Sequence, residues 1–199
     1  MSGPKKYDRV ELLDRAIELF RCQGFNGTST AELVEELGVN RKSMYAEFGS
    51  KQGLFEASLE RYAAHQLTSE LASIEAPDAG ADAIREAFDG YAAASDGWAR
   101  GRGCLLCNTA VERGALDPGS ARHVAAYLER LTTAFRSCLT NASTRGDIAA
   151  DADLDVLAAF FTTALIGVAA SLRAEAPLEQ IRAACSVATS VLDQHSSTA

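Results

Sequence analysis

The sequence predicts an all-α fold of about nine helices, and three observations carry that prediction. Helix formers dominate the 199 residues and only 4 prolines interrupt them. No β-branched stretch shows the strict alternation of a half-buried strand, whereas large apolar residues recur at three- and four-residue spacing along most of the chain. Apolar residues make up 47% of the total, enough for one or two cores at the usual domain size.

The first helix is expected from about Tyr7 to Cys22, with Val10, Leu13, Ile17 and Phe20 on one stripe. Two short amphipathic segments follow between Thr28 and Phe55. In the first, Ala31, Leu33, Val34 and Leu37 share a face, and Thr30 ahead of acidic residues suits the N-cap and the helix dipole. Gly38 stops that helix because glycine accepts the left-handed conformation of a tight turn, and Asn40 caps the next, Arg41 to about Phe48. The pair reads as a helix-turn-helix. Its second helix presents Arg41, Lys42 and Ser43 in the first turn and tucks Met44 and Phe48 inward, a shape suited to a DNA major groove.

Gly49-Ser50 break the chain again, and Ser50 caps a long helix that starts at Lys51, carries Leu54, Phe55, Leu59 and Tyr62, and ends near the breaker cluster Ala76-Pro77-Asp78-Ala79-Gly80. That helix is the expected link between a DNA-binding domain, residues 1–50, and a ligand-binding and dimerisation domain, residues 51–199. Ala81 to about Ser95 follows, with Ile84, Phe88 and Tyr91 on one face. A glycine-rich interruption from Gly97 to Gly103 holds Trp98, Arg100 and Arg102. Further helices are expected at Cys104 to about Arg113, Ser120 to Thr144, Leu154 to Arg173, and Leu178 to about His195, separated by Asp117-Pro118-Gly119, Arg145-Gly146-Asp147 and Pro177. The tail from Ser196 to Ala199 reads as frayed.

Taken together, Gly24-Phe25, Thr28, Leu33, Gly38-Val39, Tyr45, Phe48 and Lys51 resemble the DNA-binding region of the TetR family of bacterial transcriptional repressors, over about Tyr7 to Tyr62. The resemblance implies base-edge contacts from Arg41 and Lys42 with Ser43 beside them, and phosphate contacts from Thr28, Tyr45 and Lys51. It also implies a homodimer on a palindromic double-stranded operator, released by a small-molecule effector through a shift of the helix from Lys51 to Ile74. Glu47 departs from the family pattern, since a carboxylate there repels phosphate unless Lys51, four residues on, pairs with it.

A formal charge of -8 is unusual for a DNA-binding chain, because phosphate neutralisation by Lys and Arg supplies much of the affinity. The acidity is unevenly spread. Nine basic and ten acidic residues up to Tyr62 leave -1, and the remaining ten basic and seventeen acidic residues carry -7. Lys5, Lys6 and Arg9 ahead of the helices, with Arg41, Lys42 and Lys51, make a local positive face. Charges at Lys5, Lys6, Asp8 and Arg9 interrupt any apolar leader, so a cytoplasmic location is expected. Val156 to Leu172 is uncharged but diluted by Thr162, Thr163, Gly167 and Ser171, which favours a buried helix over a membrane span.

The last two helices are apolar all round. Small residues between the large ones allow close approach, so the expected dimer interface uses Phe161, Leu165, Val168, Leu172, Cys185, Ala188 and Val191. A ligand pocket is expected in the middle of the chain, where aromatic and lone polar groups sit on apolar helices: Phe88, Tyr91, Trp98, Cys107, Asn108, His123, Tyr127 and Thr163.

Cys104 and Cys107 form a C-x-x-C pair near a helix N-terminus, an arrangement that lowers a thiol pKa and suits an electrophile or redox sensor. Packed apolar cysteines are the other reading. No second C-x-x-C or nearby His completes a metal set, and no cofactor motif occurs. No nucleophile elbow, phosphate loop or HExxH is present, so an enzyme is not expected.

Overall fold

The computed structural model describes residues 7–112 and 117–197, and these form ten α-helices with no strand among them. In order they are α1 (Arg9–Gly27), α2 (Thr30–Leu37), α3 (Arg41–Phe48), α4 (Lys51–Ala64), α5 (Gln66–Leu71), α6 (Ala81–Ala94), α7 (Leu105–Val111), α8 (Pro118–Arg145), α9 (Leu154–Arg173) and α10 (Leu178–Gln194). Lys5 and Lys6, expected on the positive face, Arg113, the expected end of α7, and Thr198-Ala199 of the expected tail lie outside the described residues.

The extra helix arises from a break at His65 in what the sequence suggested was one long helix from Lys51. There φ is -116° and ψ is -65°, and the Ala63 carbonyl accepts instead from the Thr68 hydroxyl at 3.3 Å and from Arg130 of α8. Arg130 also holds Glu75, so one guanidinium from α8 clamps both sides of the break. Helix α1 runs five residues beyond its expected end, with a kink at Gly24, where φ is 77° and ψ is 174°. Its stripe is also shifted, because Val10 is exposed and Leu12, Leu13, Ala16, Ile17 and Phe20 are buried. Ser196 is not frayed: it bridges Ile148, and the Ala149 N–H donates to the His195 carbonyl at 2.8 Å.

Helices α1 to α4 enclose a small apolar centre in which Phe20 and Phe55 meet edge to face at 4.8 Å. Helices α6, α8, α9 and α10 pack around Phe88, Phe135 and Phe161, whose rings lie 5.8 to 6.4 Å apart. Helix α7 packs against α1, α4, α8 and α9 and so joins the two groups. Helix α9 is the one described helix long and apolar enough to cross a membrane, yet Leu157, Phe161, Leu165 and Leu172 are covered by the chain's own helices.

This last observation divides the expected dimer surface. Phe161, Leu165, Val168, Leu172, Cys185 and Ala188 are all buried within the single chain, and Val191 is half-buried. Apolar surface is left by Val156, Phe160 and Val187 of the same two helices, and Phe160 and Val187 line a shallow groove with Ala164, Gly167 and the expected Val168 and Ala188. A helix with apolar residues all round serves two contacts, and its larger side chains here went to the internal one.

Candidate nucleic-acid interface and interior thiol cluster

Each helix of the α2–α3 pair is fixed by local chemistry. Ser29, rather than Thr30, caps α2: its hydroxyl accepts from the Glu32 N–H while the Glu32 carboxylate accepts from the Ser29 N–H at 2.7 Å, a reciprocal capping box. Gly38 turns the chain with φ of 63°, and the Asn40 side chain accepts from the Ser43 N–H at 2.8 Å to start α3. Ser50 caps α4 in the same way through the Gly53 N–H. A Cβ on Gly53 would collide with the Phe48 carbonyl, so glycine is what lets α3 and α4 approach closely.

Only one side of α3 is anchored. Met44 is fully buried, whereas Arg41 and Lys42 are exposed and Ser43 is half-buried. The Arg41 guanidinium lies 5.2 Å from the Tyr45 ring centre and donates to the Tyr45 hydroxyl at 3.4 Å. Hydrogen bonds with Thr30 and then Arg41 hold the Tyr45 phenol below the ordinary tyrosine range. Lys51 places its ammonium 4.2 Å from the Phe25 ring, and partial burial pushes its pKa down against the opposing fields of Glu112 and Glu32.

Two expectations at this surface are revised. Thr28 is buried and donates its hydroxyl to the Gly24 carbonyl at 2.6 Å, so its side chain points inward rather than towards a phosphate. Glu47 meets Arg9 at 3.2 Å and the Tyr7 hydroxyl at 3.3 Å rather than depending on Lys51. Arg9 also lies over the Phe48 ring at 5.5 Å, so a cation from the start of α1 offsets the carboxylate that the sequence left in question.

The proposed pocket residues divide into four groups. Tyr91 and Trp98 line a cavity of about 230 Å³ with Glu70, Glu86 and Gly90. Cys107 and Tyr127 belong to an adjoining buried cluster: the Cys107 sulfur is 3.4 Å from the Tyr127 hydroxyl and the Cys104 sulfur 4.0 Å from it. Asn108 is buried and hydrogen-bonded to backbone, and Phe88 is part of the aromatic core. His123 is half-buried on α8, and Thr163 is exposed, its hydroxyl returning to the Ala159 carbonyl, which removes it from any interior lining.

The thiol cluster is electrostatically unusual. A hydrogen bond from Cys107 is the first cause that lowers the Cys104 thiol to about 6 against the effect of burial, and Tyr62 adds another. The same exchange and burial push Cys107 up. Glu70 is exposed as a residue, but its carboxylate turns towards the Tyr62 hydroxyl at 3.5 Å, and burial raises it to about 7. Arg21 is buried beside this group, with its guanidinium 5.6 Å from the Tyr62 ring and 5.7 Å from that of Trp98.

Glu70 and Arg21 were missed by the sequence reading, although a signal existed. Arg21 continues the four-residue step of Leu13 and Ile17, and Glu70 falls three residues after Leu67 and four before Ile74. A charge on an apolar stripe has to find an interior partner.

Among the described residues no group of His, Cys, Asp and Glu could hold a metal ion. The family described as bacterial regulatory proteins, tetR family, matches residues 12–58, and that of the tetracyclin repressor-like C-terminal domain matches residues 80–188. The HTH-type transcriptional repressor ComR of Escherichia coli is 34% identical over 89% of this chain and 85% of its own. The uncharacterized HTH-type transcriptional regulator YezE of Bacillus subtilis is 29% identical over 97% of this chain and 100% of its own. A cysteine mutant of the TetR family transcriptional regulator CifR, complexed with 26-base-pair operator DNA, superposes with a TM-score of 0.80 at 28% identity, covering 94% of this chain and 98% of that one.

Proposed function

The chain belongs to the tetR family of bacterial regulatory proteins, and on that premise we propose that it is a transcriptional repressor that binds a palindromic operator as a homodimer and leaves it on binding a small molecule. In this reading residues 1–50 read the DNA and residues 51–199 bind the effector and the second chain. The observation that carries it is the asymmetry of α3, on which Met44 is fully buried while Arg41 and Lys42 stand exposed in the first turn. Arg41 and Lys42 contact base edges with Ser43 beside them, and Tyr45 and Lys51 contact phosphate. CifR with its operator and ComR as a repressor support the same assignment by similarity.

The second copy docks on the exposed face of α9 and α10, through Phe160 and Val187. Phe160→Asp places an unpaired charge in that contact, at a cost of several kcal/mol. Sedimentation should then show a monomer, and a gel shift on a palindromic fragment from beside the protein's own gene should lose its band. An intact dimer would place the interface elsewhere; a wild-type protein that shifts no such fragment would end the repressor reading.

The effector enters the cavity between Tyr91 and Trp98, whose apolar walls and Glu70 suit a neutral or cationic aromatic compound. A second reading, thiol sensing, is favoured by one observation: Cys104 and Cys107 meet at the Tyr127 hydroxyl and divide one proton unequally. A lowered pKa keeps Cys104 as thiolate above pH 6 and loses that form as pH falls through this value. Cys104 is buried, so its alkylation by iodoacetamide waits on opening of the cluster, but by mass spectrometry it should label at pH 7 ahead of the equally buried Cys138, whose thiol burial pushes up to about 11. A rate that rises only towards pH 9 would leave the cysteines as packing residues.

A further inference from the structure

Besides its packing on α2 and α4, helix α1 is tied by polar contacts to one short segment, from Arg102 to Glu112. The Arg21 guanidinium donates twice to the Gly103 carbonyl, at 3.0 and 2.7 Å. Asn108 of α7 donates its side-chain amide to the Arg21 carbonyl at 3.2 Å and to the Arg102 carbonyl at 2.7 Å. At the far end of α7 the Glu112 carboxylate accepts from two consecutive backbone N–H groups, Phe25 at 2.9 Å and Asn26 at 2.6 Å.

Those two N–H groups are available because of the kink at Gly24, which turns them out of the regular ladder of α1 and onto Glu112. A Cβ on Gly24 would run into the Glu112 carboxylate and the Arg173 guanidinium, so the fit is close as well as polar. From the kink the path to the reading helices is short. Thr28 is buried, holds the Gly24 carbonyl and directly precedes Ser29, the cap of α2. At its other end α7 begins at Cys104, one turn before Cys107, in the cluster around Tyr127. Seven residues at 1.5 Å each span about 10 Å, so a displacement at the thiol end reaches the kink through two turns of one helix. Helix α4 also meets α1, α7 and α8, and the break at His65 separates it from α5.

We infer that α7 is the lever that sets the angle of the reading head, with Glu112 as the positioning residue that grips the Gly24 kink. The inference rests on the reading of a dimer with two heads on one operator, since an angle fixed in each chain becomes a fixed distance between the two heads. Glu112 itself touches no DNA in this arrangement.

The test is the dependence of affinity on operator spacing. Wild type, Glu112→Ala, Glu112→Gln and a control, Asp14→Ala, are titrated against palindromes whose half-sites are moved apart or together by one base pair. Asp14 holds Arg61 at 2.7 Å and touches neither α7 nor the kink. Wild type should lose about tenfold or more on the altered spacers, within the usual range of coupling between sites. Glu112→Ala should reduce that penalty to about threefold or less, Glu112→Gln, which keeps one acceptor for the pair of N–H groups, should fall between, and Asp14→Ala should keep the wild-type penalty despite a lower melting temperature. Equal proportional losses for Glu112→Ala on every spacer would overturn the inference, because simple destabilisation acts in that way. Wild-type binding indifferent to spacing would overturn the two-headed reading and the lever with it.

Discussion

Helices α3 and α7 are nearly equal in length, at eight and seven residues, and are put to opposite uses. Helix α3 has a side-chain cap at its start, from Asn40, and a glycine turn at its end, at Gly49, and buries Met44 alone, so its first turn is left free. Helix α7 has no side-chain cap, and Leu105, Leu106, Cys107, Asn108 and Thr109 are all buried. Segments this short are marginal on their own in water. One is held by its ends, which leaves its first turn free; the other is held by its sides, with the Asn108 amide nitrogen and the Thr109 hydroxyl both engaged. The difference teaches that substitutions on α3 should act on binding and substitutions around α7 on stability.

The comparison breaks most visibly at Gly103, whose φ is 63° and where a Cβ would come within 2.7 Å of the Ala169 carbonyl. Gly103→Val should destabilise by about 3 kcal/mol or more, combining left-handed strain with a backbone collision, read as a lowered urea midpoint. Unchanged stability would mean that α7 is loosely held. Next is Asn108→Ala, which strands the Arg21 and Arg102 carbonyls and should cost about 2 kcal/mol, roughly 4–8 °C in Tm for a chain of this size.

On the α3 side, Arg41→Ala should leave stability within about 0.5 kcal/mol and remove about 1–3 kcal/mol of cognate affinity with little change on random DNA. Lys51→Ala should weaken both DNAs by a smaller, equal amount and reduce the salt slope by about 1. A loss of sequence preference for Lys51→Ala, or its absence for Arg41→Ala, would exchange their roles.

Much of the fold was legible because its signals are local. Gly38, Asn40 and Ser50 fix α2, α3 and α4 by chemistry that acts over three residues, and each of the ends they mark was read correctly. The break at His65 was not legible, since it depends on Arg130 arriving from α8 to hold Ala63 and Glu75. The apolar faces of α9 and α10 were visible, but which face meets the chain's own core depends on α6 and α8, and the residues expected at the partner straddle the two: Phe161, Leu165 and Leu172 face inward, while Val168 and Ala188 reach the groove. Arg41 and Lys42 could be recognised as exposed from the turn that precedes them. The grip of Glu112 on the kink could not be read, because its partners, Phe25 and Asn26, are backbone groups more than eighty residues away and leave no trace in side-chain pattern.

The chain has a single tryptophan, and it stands where the cavity, the buried Arg21 and solvent meet. Its ring is 57% exposed, so its emission should be that of a wet indole, and no second indole contributes a background. A compound that settles against Trp98 dries the ring and shifts the emission to the blue, while withdrawal of the Arg21 cation alters its intensity. The molecule thus carries its own optical gauge of cavity filling, readable in a cuvette without label or DNA.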